Sequence, residues 1–419
     1  MNVWLRTFGC RANQYDTERV RALAEAAGCR IVESPDEADA AVFNSCTVTT
    51  AAERDLRRAV RQAATRRPGI RSVIMGCAAP LSAPRGEQGS LHDLPNVTAV
   101  VPGAQLEAVA AALGLPAITA TPPARQSGTR ALLRIQDGCD EHCTFCATTR
   151  ARAAHRSRAP AELVDEARRL ADHHSEIVLT GIHIGGWGVE SGSSLGELVL
   201  QLVREVSRVR FRLSSVEATE VDGALAEMLR DAPQHVAPHL HAPLQSGSDA
   251  LLRRMGRHWY TAESYASAIE RLMAERDAFA LGADVITGFP GETEADHRAT
   301  MALVERLPFT YLHVFPWSER PGTAAMRLPG RVPPATARRR AGELRALGGA
   351  KAAAYARTRA DGEADVVVIG SGSARTGLTG DYLTVVLPDP VPPRGGRFRA
   401  RLEASGSRLR ARPIDTAIS

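Results

Sequence analysis

The sequence predicts an α/β chain in three parts: an N-terminal doubly wound parallel sheet, a central partial (β/α)6 barrel and a small C-terminal β-barrel. Three observations predict it. Apolar runs alternate with helical patterns over residues 1–113, six further run-and-helix units fill 130–330, and short alternating runs between Gly and Pro turns occupy 360–419. Strands alternating with helices favour parallel sheets, whereas short alternating strands favour antiparallel barrels. At 419 residues each part is large enough to bury its own core.

In the first part, Val3–Phe8 reads as a strand followed by a helix from about Gln14 to Ala27, and Ala38–Phe43 and Ile70–Met75 read as further strands. Each strand runs into a cysteine, at Cys10, Cys46 and Cys77. Ligands gather beyond the carboxyl ends of strands in such sheets, so the three cysteines are expected to converge. A lone cysteine is more often a buried core residue, and Cys29, at a helix end, is read that way. From Arg54 to Arg67 six arginines face one aspartate, with Leu56, Ala59, Val60 and Ala63 at helical spacing, which predicts an amphipathic helix with a basic outer face. Such a helix suits either solvent or RNA. Residues 114–129 are rich in turn formers and read as a linker.

The central runs are Leu132–Ile135, Ile177–Leu179, Phe211–Leu213, His239–His241, Ala283–Ile286 and Tyr311–Phe315. A parallel barrel does its chemistry at the carboxyl rim of its strands. Polar or Gly-rich segments follow every run: the cysteine loop, Thr180–Gly186, Ser214–Glu217, Pro243–Gly247, Thr287–Gly291 and Ser318–Arg320. Phe145, Gly181, Ser215, Glu217 and Gln245 are the candidate cofactor contacts, because glycine admits a cofactor to the backbone and Glu217 and Gln245 can hydrogen-bond an ammonium or a ribose. His183 reads as a rim or core histidine.

Cys139, Cys143 and Cys146 stand at CxxxCxxC spacing within ten residues. Zinc would need a fourth ligand such as His142 or His155, whereas an iron–sulfur cube held by three thiolates keeps one iron open for a non-protein ligand. Arg150, Arg152, Arg156 and Arg158 follow, suited to a polyanionic substrate or to internal pairing with Glu162 and Asp165.

Pro333 to Arg359 reads as a long helix, placing a connecting helix at 331–359. Asp365–Ile369, Tyr382–Leu387 and Arg397–Leu402 read as short antiparallel strands. Between Arg397 and Arg412 six arginines face one glutamate, and alternate arginines on one strand share a face that can track phosphates. The net charge of +5 permits a nucleic-acid partner without requiring one. Seven cysteines, no leader pattern and no apolar run able to span a bilayer point to a reducing cytosol.

With its aromatic Phe145 before the last cysteine, the CxxxCxxC loop resembles the radical S-adenosylmethionine superfamily, in which a reduced cluster splits the cofactor to a 5′-deoxyadenosyl radical. Thr7–Cys10, Asn44–Thr49, Met75–Cys77, Gln136–Cys139, His241–Ser248 and Gly288–Thr293 together resemble the methylthiotransferases over nearly the whole chain. Thr47–Thr49 and Thr180–Gly186 are most similar to the branch acting on threonylcarbamoyl-adenosine beside the tRNA anticodon. The branches acting on isopentenyl-adenosine or on a ribosomal protein aspartate are less similar. Gly380–Tyr382 resembles the TRAM module, a small RNA-binding barrel.

The resemblance implies two [4Fe-4S] clusters, on Cys139, Cys143 and Cys146 and on Cys10, Cys46 and Cys77. It also implies two molecules of S-adenosyl-L-methionine per product, a reductant protein such as flavodoxin or ferredoxin, and a tRNA substrate met by Arg152, Arg156, Arg158, Tyr382, Arg399 and Arg401. A cytoplasmic monomer without a membrane partner is expected. Thr149 and Ala153 depart from the family, where Pro and Gly are frequent. A radical enzyme that only methylates would need no second cysteine triad, and a non-enzymatic RNA-binding metalloprotein would hold zinc.

Overall fold

The computed structural model describes residues 1–47, 50–103, 105–116, 121–274, 278–370, 376–387, 389, 393–406 and 408–414. Val48 and Thr49 of the motif after Cys46, and 117–120 of the expected linker, lie outside the described residues. The chain forms two compact units, one of residues 1–124, 136–156 and 318–326, the other of 125–135, 157–317 and 327–419.

The elements begin with β1 (Asn2–Thr7), α1 (Arg11–Ala26), β2 (Arg30–Val32), β3 (Ala40–Ser45), α2 (Thr50–Arg66), β4 (Arg71–Gly76), β5 (Val97–Pro102) and α3 (Leu106–Leu113). There follow β6 (Ala131–Arg134), β7 (Gln136–Asp137), α4 (Thr148–Arg152), β8 (Arg156–Ser157), α5 (Pro160–Ala171), β9 (Glu176–Thr180), α6 (Leu195–Glu205), β10 (Arg210–Leu213) and α7 (Gly223–Asp231). Next come β11 (His239–His241), α8 (Asp249–Arg254), α9 (Ala262–Met273), β12 (Ala280–Thr287), α10 (Glu294–Arg306) and β13 (Tyr311–Pro316). The last are α11 (Pro334–Thr358), β14 (Glu363–Val368), β15 (Thr376–Thr379), β16 (Thr384–Val386), β17 (Arg397–Ser405) and β18 (Arg408–Pro413).

In the first unit a parallel sheet has the order β2-β1-β3-β4-β5. Side chains alternate across it. Ala41, Phe43 and Ile74 pack with Leu56 and Val60 of α2, while Ala40, Val42, Val73 and Met75 pack with Val20 of α1 and Val109 and Leu113 of α3. Burial on both faces explains the continuous apolar run of β3, which shows no polar alternation. The strand order reverses between β1 and β3, the crevice position where open α/β sheets bind ligands.

In the second unit all six expected central strands form. They lie in two parallel sheets, β6-β9-β10 and β11-β12-β13, bridged at Phe211–Val236 and Ser215–His241. One core of Leu, Val, Ile and Phe side chains runs through both sheets and their helices. The C-terminal strands close as β14-β15-β16-β18-β17, two strands more than the sequence reading gave. That barrel is fastened by buried charge: Glu176 pairs with Arg210 and Arg212, and Arg212 donates to the carbonyls of Thr379 and Gly380 at 3.0 Å each.

Candidate metal centres and cofactor residues

Cys10 caps α1, Cys46 follows β3 and Cys77 follows β4, so all three stand at the carboxyl edge of adjacent strands around the reversal point. Gly9 makes this possible. Its φ is +123°, and a Cβ there would lie 2.8 Å from Cys46 Cβ and 3.1 Å from its Sγ, so only glycine lets the turn after β1 press against that cysteine. Buried Asn13 of α1 ties the edge together. Its Nδ2 donates to Asn44 Oδ1 (2.8 Å) and Ser45 O (3.0 Å) and lies 3.9 Å from Cys77 Sγ, while its Oδ1 accepts from Cys10 Sγ at 3.2 Å. Burial pushes the Cys77 thiol up to about 11, Arg152 opposes this, and Cys10 and Cys46 add to it, which puts Cys77 in the field of both other sulfurs.

Cys139, Cys143 and Cys146 are half-buried free thiols in the same unit. The Cys146 amide donates to Cys143 O at 3.1 Å, and the Thr148 amide donates to Cys146 Sγ at 3.3 Å. The loop closes where the Cys139 amide donates to Ala153 O (3.2 Å). Both donor sets fit a four-iron cluster with one iron left open, because each offers three thiols, none in a disulfide.

Arg152, at the end of α4, joins the two sets. It is 4 % exposed. Its Nε donates to Cys77 Sγ at 3.2 Å, and its Nη1 lies 2.8 Å from Asp16 and 3.6 Å from Asp137. The guanidinium is therefore spent inside the protein, which corrects its expected place among RNA contacts. The sequence reading missed Asn13 and Asp16. Their three-residue spacing, which puts them on one face of α1 just after Cys10, was the available signal.

A cavity of about 340 Å³ in this unit is lined by Thr47, Ala78 and Ala147, each directly after a cysteine, and by Arg57, Arg150 and Arg320. One cavity thus touches the residues after Cys46, Cys77 and Cys146. Its arginines suit an anionic occupant.

Among the expected cofactor contacts, Phe145 lies in the cysteine loop of the first unit. In the second unit Gly181 follows β9, Ser215 and Glu217 follow β10, and Gln245 follows β11. Glu217 is buried with Arg257 Nη2 at 2.5 Å from its carboxylate, and burial raises its pKa despite that arginine. Gln245 adopts φ 62°, with its amide donating to Asp284 O (2.8 Å) and its carbonyl accepting from Ile286 N (3.0 Å). His183 meets Glu220 at 2.6 Å.

Of the expected RNA contacts, Arg156, Arg399 and Arg401 are exposed. Arg158 is held by Glu166 at 2.8 Å and by Arg134 O at 2.9 Å, and Tyr382 stacks on His239 at 4.4 Å; both are occupied within the second unit. On the barrel, Arg401 faces Arg412 and Glu403 faces Arg410 across β17 and β18, and these arginines point outward. On α2, Arg54, Arg58 and Arg61 form the exposed basic face.

The chain matches two family profiles, the uncharacterized protein family UPF0004 over residues 2–98 and the radical SAM superfamily over residues 133–304. It is 33% identical over 344 residues to a threonylcarbamoyladenosine tRNA methylthiotransferase MtaB of Thermotoga maritima, covering 79% of this chain and 78% of that protein. A Bacillus subtilis protein of the same name is 35% identical over 84% of this chain and 82% of its own length. A tRNA-2-methylthio-N(6)-dimethylallyladenosine synthase of Acidithiobacillus ferrooxidans is 32% identical over 88% and 86%. Among solved structures, the radical S-adenosylmethionine methyltransferase TsrM of Kitasatospora setae aligns with a TM-score of 0.57 at 16% identity, covering 77% of this chain and 76% of that one, a likeness of fold. Among the described residues no helix is long and apolar enough to cross a membrane.

Proposed function

The chain belongs to the methylthiotransferase family of radical S-adenosylmethionine enzymes, and from that premise we propose that it adds a methylthio group to carbon 2 of threonylcarbamoyl-adenosine next to the tRNA anticodon. The observation that carries this reading is that two sets of three cysteines lie in one unit, with the residues after Cys46, Cys77 and Cys146 lining one cavity and Arg152 reaching from one set to Cys77 of the other. A methylating radical enzyme has no use for the second set. Relatives named for threonylcarbamoyladenosine at 33% and 35% identity favour that nucleoside. The relative named for dimethylallyladenosine, at 32%, keeps that substrate as the second reading.

When bound, two [4Fe-4S] clusters and S-adenosylmethionine supply a carbon-centred radical at one site and a methylated sulfur at the other. The chain's own residues do the holding. Cys139, Cys143 and Cys146 carry the radical-generating cluster, and Cys10, Cys46 and Cys77 the auxiliary one. Arg152 Nε and Asn13 Nδ2 face the Cys77 sulfur as donors, as outer-shell partners of metal ligands do, whereas the Cys10 thiol that donates to Asn13 Oδ1 would give up that bond on binding iron. In the second unit, Gly181, Ser215 and Gln245 after β9, β10 and β11 would contact S-adenosylmethionine, with Glu217 and Arg257 as a buried pair in the same unit. Exposed Arg156, Arg399 and Arg401, with Arg54, Arg58 and Arg61 of α2, draw the tRNA backbone by charge.

The protein works as a cytoplasmic monomer with a flavodoxin- or ferredoxin-like reductant. Mass spectrometry of tRNA nucleosides from a deletion strain and its parent tests the reading. Loss of methylthio-threonylcarbamoyl-adenosine, with its precursor accumulating, is expected. Loss of the methylthio form of the isopentenyl nucleoside instead would establish the second reading, and an unchanged profile would overturn both.

A further inference from the structure

The second unit gathers a separate set of ligand-type side chains on one face of the β11-β12-β13 sheet. His241 ends β11, Asp284 stands in the middle of β12 and His313 in β13. The register pairs His241 with Gly282 and Asp284 with His313, and residues two apart on a strand share a face, so all three project together. Their donor atoms lie within 4.8 Å of one another.

The separations match a metal site. Asp284 Oδ1 is 3.1 Å from His241 Nε2 and 3.2 Å from His313 Nδ1. Two ligands each about 2.0–2.1 Å from a tetrahedral zinc stand about 3.3 Å apart, so both edges are already at ligand spacing. Both imidazoles also address the same carboxylate oxygen, with one donor atom from each residue, as ligands around one ion do.

The surroundings support the set. His241 Nδ1 is 3.0 Å from Tyr311 Oη, which is itself 2.8 Å from His239 Nε2, so the ring is held from behind in the way a ligating histidine is. Gly282 makes room for that phenol, since a Cβ there would lie 2.0 Å from Tyr311 Cζ. The Asp284 carbonyl accepts from Gln245 N at 2.8 Å and Leu244 N at 3.2 Å, pinning its strand. His241 is buried, whereas the His313 side chain is 52% exposed, so the set is closed behind and open in front.

We infer that His241, Asp284 and His313 bind one divalent transition-metal ion of the zinc class, with a coordination position left open on the His313 side. This site is distinct from the six cluster cysteines and stands whether or not the nucleoside assignment does.

The test uses the full chain with its clusters reconstituted anaerobically, so that the cysteines are occupied. It is incubated with Zn²⁺ and desalted, and zinc and iron are counted by plasma mass spectrometry. One zinc per chain is expected beyond the iron. H313Q and D284N should lower zinc affinity at least a hundredfold with iron unchanged, and Tyr311→Phe about tenfold. No stoichiometric zinc, or equal retention by wild type and variants, would overturn the proposal. Should the variants fail to fold, zinc-edge absorption on the wild type decides: nitrogen and oxygen neighbours alone support the site, and sulfur neighbours refute it.

Discussion

Arg152 and Ala153 show how a single residue governs the cysteine loop. The departures from the family pattern raised the question of which path the loop takes, and the answer lies in a backbone angle. Ala153 adopts φ 62° and ψ −161°, a region occupied essentially by glycine and costing about 1–3 kcal/mol for other residues. The loop keeps the glycine path because Ala153 O accepts from the Cys139 amide. Ala153→Gly should therefore raise stability by about 1 kcal/mol, the relieved strain exceeding the 0.5–1 kcal/mol entropic cost of glycine. A urea midpoint that moves down would show that the strain is absent. Arg152 presents the opposite case. Arg152→Leu takes away the guanidinium facing buried Asp16 and Cys77, and should cost about 3–5 kcal/mol in denaturant titration. A loss below about 1 kcal/mol would mean that the charges are solvated. The cysteines were legible in the sequence because their spacing is local. The role of Arg152 was not, since its partner Cys77 lies 75 residues away and its partner Asp16 farther still.

At the scale of elements, the strands that run into cysteines or barrel rim loops were legible, and β2, β5, β15 and β18 were not. All six central strands were legible. β2 has three residues, too few to show a period, and β15, Thr-Gly-Leu-Thr, carries a glycine that weakens strand pattern. β18 alternates arginine with apolar residues, and its charge masked its strand. The Gln245–Ser248 segment looked like a cofactor rim from composition alone, yet much of its chemistry is structural. Ser248 Oγ donates to Asp296 Oδ1 at 2.5 Å, and the Gly247 amide donates to Thr300 Oγ1 at 2.9 Å. Asp296 also completes the capping box of α10 by accepting from the Thr293 amide at 2.8 Å. One carboxylate thus holds both the helix start and the loop carrying Gln245. Asp296→Ala should cost about 1–2 kcal/mol, read as a lower thermal midpoint, and speed amide exchange at Gly247 and Ser248. Unchanged exchange there would show that the loop is held by packing alone.

For the molecule as a whole, the largest feature absent from the sequence reading is the buried charge that fastens the C-terminal barrel to the central strands. Glu176, Arg210 and Arg212 sit inside apolar strands, where charge alone argues against burial. They are fully buried because they satisfy one another and the carbonyls of Thr379 and Gly380. Burial by itself would raise the Glu176 pKa, but Arg212 and then Arg210 outweigh it and hold the carboxyl well below its ordinary range. The sign for stability follows from the depressed folded value. The unfolded carboxylate titrates near about 4.3, so the stabilisation is fully present above that pH and is lost as pH falls through the lower folded value. Glu176→Gln leaves two guanidinium groups buried without their anion and should cost about 3–5 kcal/mol at pH 7. Urea unfolding of wild type and variant at several pH values separates the charge from the shape. The gap should hold constant from pH 7 to about 5 and narrow below about 4, because only the wild type loses an ion pair there. A gap that stays constant down to pH 3 would place the contribution of Glu176 in packing, and the barrel would then be held by hydrogen bonds such as those of Arg212 to Thr379 and Gly380 and of Arg210 to the Asp365 carbonyl.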